Sequence, residues 1–208
     1  QLNDMEGAEA DFTRVLELDD SIFLAYVYRA RMRDLLDKKL AAVEDYERAL
    51  ELRPDYYPGY APLGTLYYEA ERWREAHRMF DESHRNADPT DHGHALMASL
   101  SLKRAGEERE AREYMRGRLD EVPRDSLYYH VGRFYVEPSY EGIAFRELQN
   151  SEIEVQKKRM SFYMAAQYEL NGSHTLARRL YATVSDQQLA GFLERRLAEA
   201  RLSQLREE

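Results

Sequence analysis

The 208-residue chain contains no cysteine, which excludes disulfides, thiolate metal sites and a cysteine nucleophile while leaving the redox compartment open. It also lacks any stretch near the ~18 consecutive apolar residues that a membrane-spanning helix needs. Direct membrane insertion of this segment is therefore not expected. No window is a sustained run of lysine and arginine, and the net charge is −9 with a pI near 5.3. A phosphate backbone would meet repulsion rather than release counterions, so nucleic acid is not expected as a partner. Missing too are a glycine-rich phosphate loop, a Gly-x-Ser-x-Gly elbow and a His-Glu-x-x-His pair. The chain reads as a non-enzyme, with no catalytic residues and no cofactor.

Against these absences stand 43% hydrophobic and 12% aromatic residues, ample for a core. The 33% of charged residues, at a mean hydropathy of −0.76, describe solvated outer faces rather than disorder. The most telling feature is a spacing. Phe12, Tyr46 and Phe80 recur at 34 residues, each with an alanine four positions earlier: Ala8, Ala42 and Ala76. An internal period of this length implies stacked helical hairpins, about six of them in a chain of this size.

The string Ala42-Val-Glu-Asp-Tyr46-Glu-Arg-Ala49-Leu50-Glu-Leu52-Arg-Pro54 resembles the second helix and closing turn of a tetratricopeptide repeat. The clearest unit is 57–89, with Tyr60, Leu63, Gly64 and Tyr67 on its first helix and Trp73, Ala76 and Phe80 on its second. Small residues at Gly64 and Ala76 let paired helices approach, and large ones beside them fill the remaining space. The resemblance implies an all-α, right-handed superhelical solenoid of antiparallel helix pairs, read as a single domain over 1–208. Its parts are a partial repeat at 1–20, repeats at 23–54, 57–89 and 92–123, a degenerate hairpin at 125–157 broken at Pro138, a repeat at 158–185, and a capping helix at 186–206. The second unit departs from the pattern, with Arg29 and Arg33 where the family prefers leucine and an aromatic. In the last helix Leu189, Phe192, Leu193 and Leu197 share a side, leaving Glu194, Arg195 and Glu199 for solvent. The layout is similar to that of bacterial envelope lipoproteins built from these repeats. Because Gln1 opens inside a repeat, an upstream segment is expected, and a cytoplasmic or a periplasmic, lipoprotein-anchored location both stay open.

The resemblance further implies a protein–protein interaction scaffold or adaptor that binds a protein or peptide segment in the concave groove lined by first helices. The expected groove residues are Tyr28, Arg31, Thr65, Tyr68, Met97, Leu100, Phe162 and Tyr163. Some members clamp a chaperone's C-terminal carboxylate with cations and asparagines; the matching positions here are Val27, Arg31, Pro62, Gly93 and Met97. Only Arg31 is cationic, so that ligand is disfavoured. His84, Asp88, Asp91, His92 and His94 supply imidazole and carboxylate, yet no pair has a diagnostic zinc spacing. They are read as a polar turn in which Asp88 or Asp91 caps the next helix, not as a metal site. Tyr128, Tyr129 and Tyr140 could cover a second surface. Two alternatives stay open: a carrier of a small ligand or metal in a cleft at 125–157, and a module that forms homo-oligomers through its N-terminal edge.

Overall fold

The computed structural model describes residues 2–86, 91–185, 189 and 191–205, and their regular secondary structure is all helical. Its contacts divide the chain into two compact units, 1–87 and 88–208. The first unit holds α1 (Leu2–Leu18), α2 (Phe23–Leu35), α3 (Lys39–Leu52), a short 3-10 turn (Tyr57–Gly59), α4 (Tyr60–Glu69) and α5 (Trp73–Arg85). Each helix packs on the next in the chain as far as α5. The second holds α6 (Gly93–Arg104), α7 (Glu108–Leu119), α8 (Leu127–Val136), a 3-10 turn (Pro138–Tyr140), α9 (Glu141–Asn150), α10 (Glu154–Leu170), α11 (His174–Val184) and α12 (Leu193–Gln204).

Four hairpins close by the same backbone device. After α2, α4, α6 and α10 one residue enters the left-handed region: Asp37, Glu71, Gly106 and Gly172, with φ of 59°, 57°, 78° and 79°. The following amide then reaches back to a carbonyl five residues earlier. These bonds are Lys38 N to Arg33 O (2.7 Å), Arg72 N to Tyr67 O (2.9 Å), Glu107 N to Leu102 O (2.9 Å) and Ser173 N to Tyr168 O (2.8 Å). Each such bond satisfies a carbonyl that the helix end leaves open, and it aims the chain into the antiparallel helix. Glycine adopts the conformation without penalty at 106 and 172, whereas Asp37 and Glu71 hold it against a Cβ clash.

Packing follows the expected alternation of small and large side chains. Ala42, Ala76 and Phe80 are fully buried and Tyr46 nearly so. A Cβ on Gly64 would sit 3.1 Å from Met79 Cβ and 3.2 Å from the Phe80 ring, so the helices of this pair meet where glycine permits it. The first member of the 34-residue series is looser, with Ala8 and Phe12 only half-buried.

Arg29 and Arg33 owe their place in the second hairpin to Asp45 on α3. Arg29 donates to both its carboxylate oxygens (2.8 and 2.7 Å), and Arg33 donates to one of them at 2.8 Å. From α1, Glu9 accepts from Arg33 (3.1 Å) and Lys38 (2.6 Å). The Lys38 and Arg33 bonds overcome partial burial and hold the Glu9 carboxyl below its ordinary range. A charge cluster thus joins α1, α2 and α3 where an aliphatic and an aromatic would otherwise pack.

In the second unit α10 is the central element. It packs on α6, α8, α9, α11 and α12, and every residue from Arg159 to Glu169 is buried. A helix buried all round has no solvent stripe, so its polar residues must find partners inside the protein.

Candidate functional site

The expected groove residues divide by unit. On α2, Leu24, Tyr28, Arg31 and Leu35 fall at i, i+4, i+7 and i+11, a single helical face. All four are exposed, the apolar three at 38%, 46% and 53% for Leu24, Tyr28 and Leu35. The Tyr28 ring is held by stacking on Phe12 of α1, with centroids 5.4 Å apart and planes 22° from parallel. Of these four, the tyrosine and the arginine are the residue types enriched at the centres of protein interfaces. On α4, Thr65 and Tyr68 are buried instead. Thr65 Oγ1 donates to the Ala61 carbonyl at 2.8 Å, and Tyr68 lies edge-on to Trp73 at 4.9 Å.

Met97, Leu100, Phe162 and Tyr163 are core residues, none more than 1% exposed. The sequence reading places them on a groove, and the correction has a simple cause. α10 lies directly against α6, so the faces that would line a concave surface fill each other.

Where those two helices meet α12, two buried ionic clusters have formed. In the first, Arg159 of α10 donates to Asp91 through Nη1 (3.0 Å) and Nη2 (3.1 Å), to Glu194 of α12 through Nε (3.0 Å), and to the Tyr128 hydroxyl (3.0 Å). Tyr163 Oη is 2.9 Å from Glu194 Oε1 and 3.0 Å from the Gly93 carbonyl. A Cβ at Gly93 would come within 2.5 Å of Arg159 Nη2, so glycine makes room for the guanidinium. In the second cluster Glu169 of α10 accepts from Arg104 of α6 (2.8 Å), from Arg201 of α12 (2.5 Å) and from the Tyr181 hydroxyl (2.8 Å). Burial alone would raise the Glu169 carboxyl; the bond and charge of Arg104, then Arg201 and Tyr181, hold it at about 2.

Comparison with known proteins agrees with this architecture. No family profile matches the chain. Over 88 residues, 42% of its length, it is 33% identical to the Protein STIP1 homolog of Dictyostelium discoideum, and the match spans 15% of that protein. PilW, a widely conserved type IV pilus biogenesis factor, superposes over 94% of this chain and 91% of its own with a TM-score of 0.53 at 19% identity. A MamA double mutant does so over 81% and 86% with a TM-score of 0.52 at 15% identity. The fold is that of the tetratricopeptide repeats. No helix among the described residues is long and apolar enough to cross a membrane.

Within this tetratricopeptide fold, other expected residues have definite places. Asp91 accepts from Gly93 N, the first amide of α6, at 2.9 Å, and its carboxylate is committed to Arg159. His92 is buried edge-on against Tyr128, and burial pushes both His92 and His94 below the ordinary imidazole range, partly opposed by Asp91. Asp88 lies outside the described residues. Tyr128 is buried by the Arg159 cluster, leaving Tyr129 and Tyr140 half-buried. Glu194, assigned to the solvent side of α12, is fully buried, because Arg159 draws it inward; Phe192 is 36% exposed, its ring 4.8 Å from that guanidinium. Sequence carried one hint of the first cluster, an arginine abutting the run Met160–Ala166, apolar but for Ser161, on a buried helix.

Proposed function

We propose that the chain is a non-enzymatic adaptor, and that the α2 face of its first unit binds a segment of a partner protein. The observation that carries this reading is the exposed stripe Leu24, Tyr28, Arg31 and Leu35, with Tyr28 immobilised on Phe12. Exposed apolar side chains in register along one helix mark an interaction surface more than the same residues scattered singly. Arg31 forms no ion pair or hydrogen bond with any described residue, so its charge is free to orient an acidic group on the partner. The fitting ligand is therefore an amphipathic or extended segment carrying apolar residues and one acid.

Affinity capture on the immobilised protein, followed by mass spectrometry and titration, tests this. Tyr28→Ala should weaken the captured partner by about 2 kcal/mol, with the helical circular dichroism unchanged. Unchanged affinity in a Leu24, Tyr28 and Leu35 triple-alanine variant would move the site off this face.

Self-association is a second reading with its own observation. Val15, Leu18 and Ile22 are exposed together at the end of α1 and in the turn after it, Leu18 at 89%. A concentration-dependent mass in light scattering that Leu18→Lys abolishes would support it. A monomer at high concentration would dismiss it.

A further inference from the structure

A cleft of about 420 Å³ opens in the second unit between the end of α7 and the outer side of α8. Its lining is Arg116, Leu119 and Asp120 from α7 and its end, Arg124 from the connection, and Tyr129, Arg133, Val136 and Glu137 from α8 and its end. Three arginines against two acids leave one positive charge, in a chain whose net charge is −9. The guanidiniums differ in state. Arg133 is held in place: it donates to Glu137 at 2.7 Å and to the Tyr129 hydroxyl at 3.3 Å, and it lies over the Tyr140 ring at 5.0 Å. Arg116 and Arg124 form no ion pair or hydrogen bond with any described residue, and both are exposed.

We propose that this cleft binds a carboxylate side chain of an acidic peptide, with Arg116 and Arg124 as its ion-pair partners. A guanidinium offers parallel N–H donors that match a carboxylate, and two unengaged ones at a single concavity supply both charge and direction. Arg133 contributes field from a fixed position. Leu119, Val136 and the Tyr129 ring give the aliphatic stem of the acid an apolar wall, which a free inorganic anion would not use. The surplus of one positive charge matches a single carboxylate, whereas a phosphate dianion would bring twice the negative charge against Asp120 and Glu137. The site is independent of the α2 face, being built wholly from the second unit.

The test is an NMR titration of the whole chain with acetyl-Leu-Glu-Glu-Leu-amide, its glutamine counterpart and its phosphoserine counterpart. Expected are saturable shifts at Tyr129, Arg133 and Val136 with the glutamate peptide, and affinity at least about tenfold lower for the glutamine peptide. Arg116→Gln with Arg124→Gln should lower glutamate-peptide affinity by about tenfold or more without moving the melting temperature, since both side chains are exposed. Tyr28→Ala should leave it unchanged, which separates this proposal from the α2 reading. Equal binding of the glutamine peptide, shifts confined to other residues, or indifference to the arginine pair would overturn the site. Stronger binding of the phosphoserine peptide would overturn the carboxylate assignment.

Discussion

Replacing Glu169 with glutamine should expose how much of the second unit's stability rests on one buried carboxylate. In the folded protein the group is held at about 2 against an ordinary 4.5, the bonds from Arg104, Arg201 and Tyr181 outweighing the cost of its burial. At about 1.36 kcal/mol per pH unit the difference corresponds to roughly 3 kcal/mol of folding free energy near neutral pH. Arg201 is 27% exposed, so solvent screening trims this to about 2–3 kcal/mol. The sign follows from a depressed folded value: the contribution is complete above about 4.5 and is lost as pH falls from there toward about 2. Glutamine keeps the shape and one carbonyl acceptor but leaves Arg104 and Arg201 without a counter-charge. Urea unfolding followed by helical circular dichroism should therefore show Glu169→Gln about 2–3 kcal/mol less stable near neutral pH, the gap closing as the solution is acidified. Combining it with Arg201→Gln should cost less than the sum of the single changes, because the two share one interaction. A gap that stays constant with pH, or strict additivity, would refute the assignment of this stability to the ion cluster.

Other expectations are simpler. Asp37→Gly and Glu71→Gly should each stabilise by about 0.5–1 kcal/mol, relief of the left-handed strain exceeding glycine's entropic cost, and a calorimetric melting point that falls would contradict the turn geometry. Ala42→Leu and Ala76→Leu force four-carbon side chains into closed helix crossings and should destabilise by about 1–3 kcal/mol; parental melting temperatures would mean that the hairpins pack differently. Asp45→Ala should cost about 2–3 kcal/mol by stranding Arg29 and Arg33, and Asp45→Ala with Arg29→Leu and Arg33→Leu should recover most of it in chemical denaturation.

The architecture was legible in the sequence because it depends on neighbours along the chain. A 34-residue recurrence of Ala42 with Tyr46 and Ala76 with Phe80 is a statement about helix pairs, and the Gly64 contact with Phe80 lies within a single hairpin. The turns at Gly106 and Gly172 likewise each lie within one hairpin, where both glycines take the left-handed conformation. Tyr28 and Arg31, expected on a concave groove, are exposed, because the helical period sets them on the side of α2 that no described helix covers.

What the tertiary structure alone decided lies at contacts distant in sequence. Met97, Leu100, Phe162 and Tyr163 have the period of groove residues, but whether a groove exists depends on how near α10 comes to α6, and there the two touch. Glu194 looks like a solvated acid in the amphipathic pattern of α12, yet it is buried because it shares with Asp91 the charge of Arg159, 35 positions earlier in the chain. Arg29 and Arg33 look like defects in a repeat until Asp45 and Glu9 are seen beside them. Periodicity reports which side of a helix a residue occupies. What covers that side, and which charges meet there, is set by packing between elements that the linear pattern does not connect.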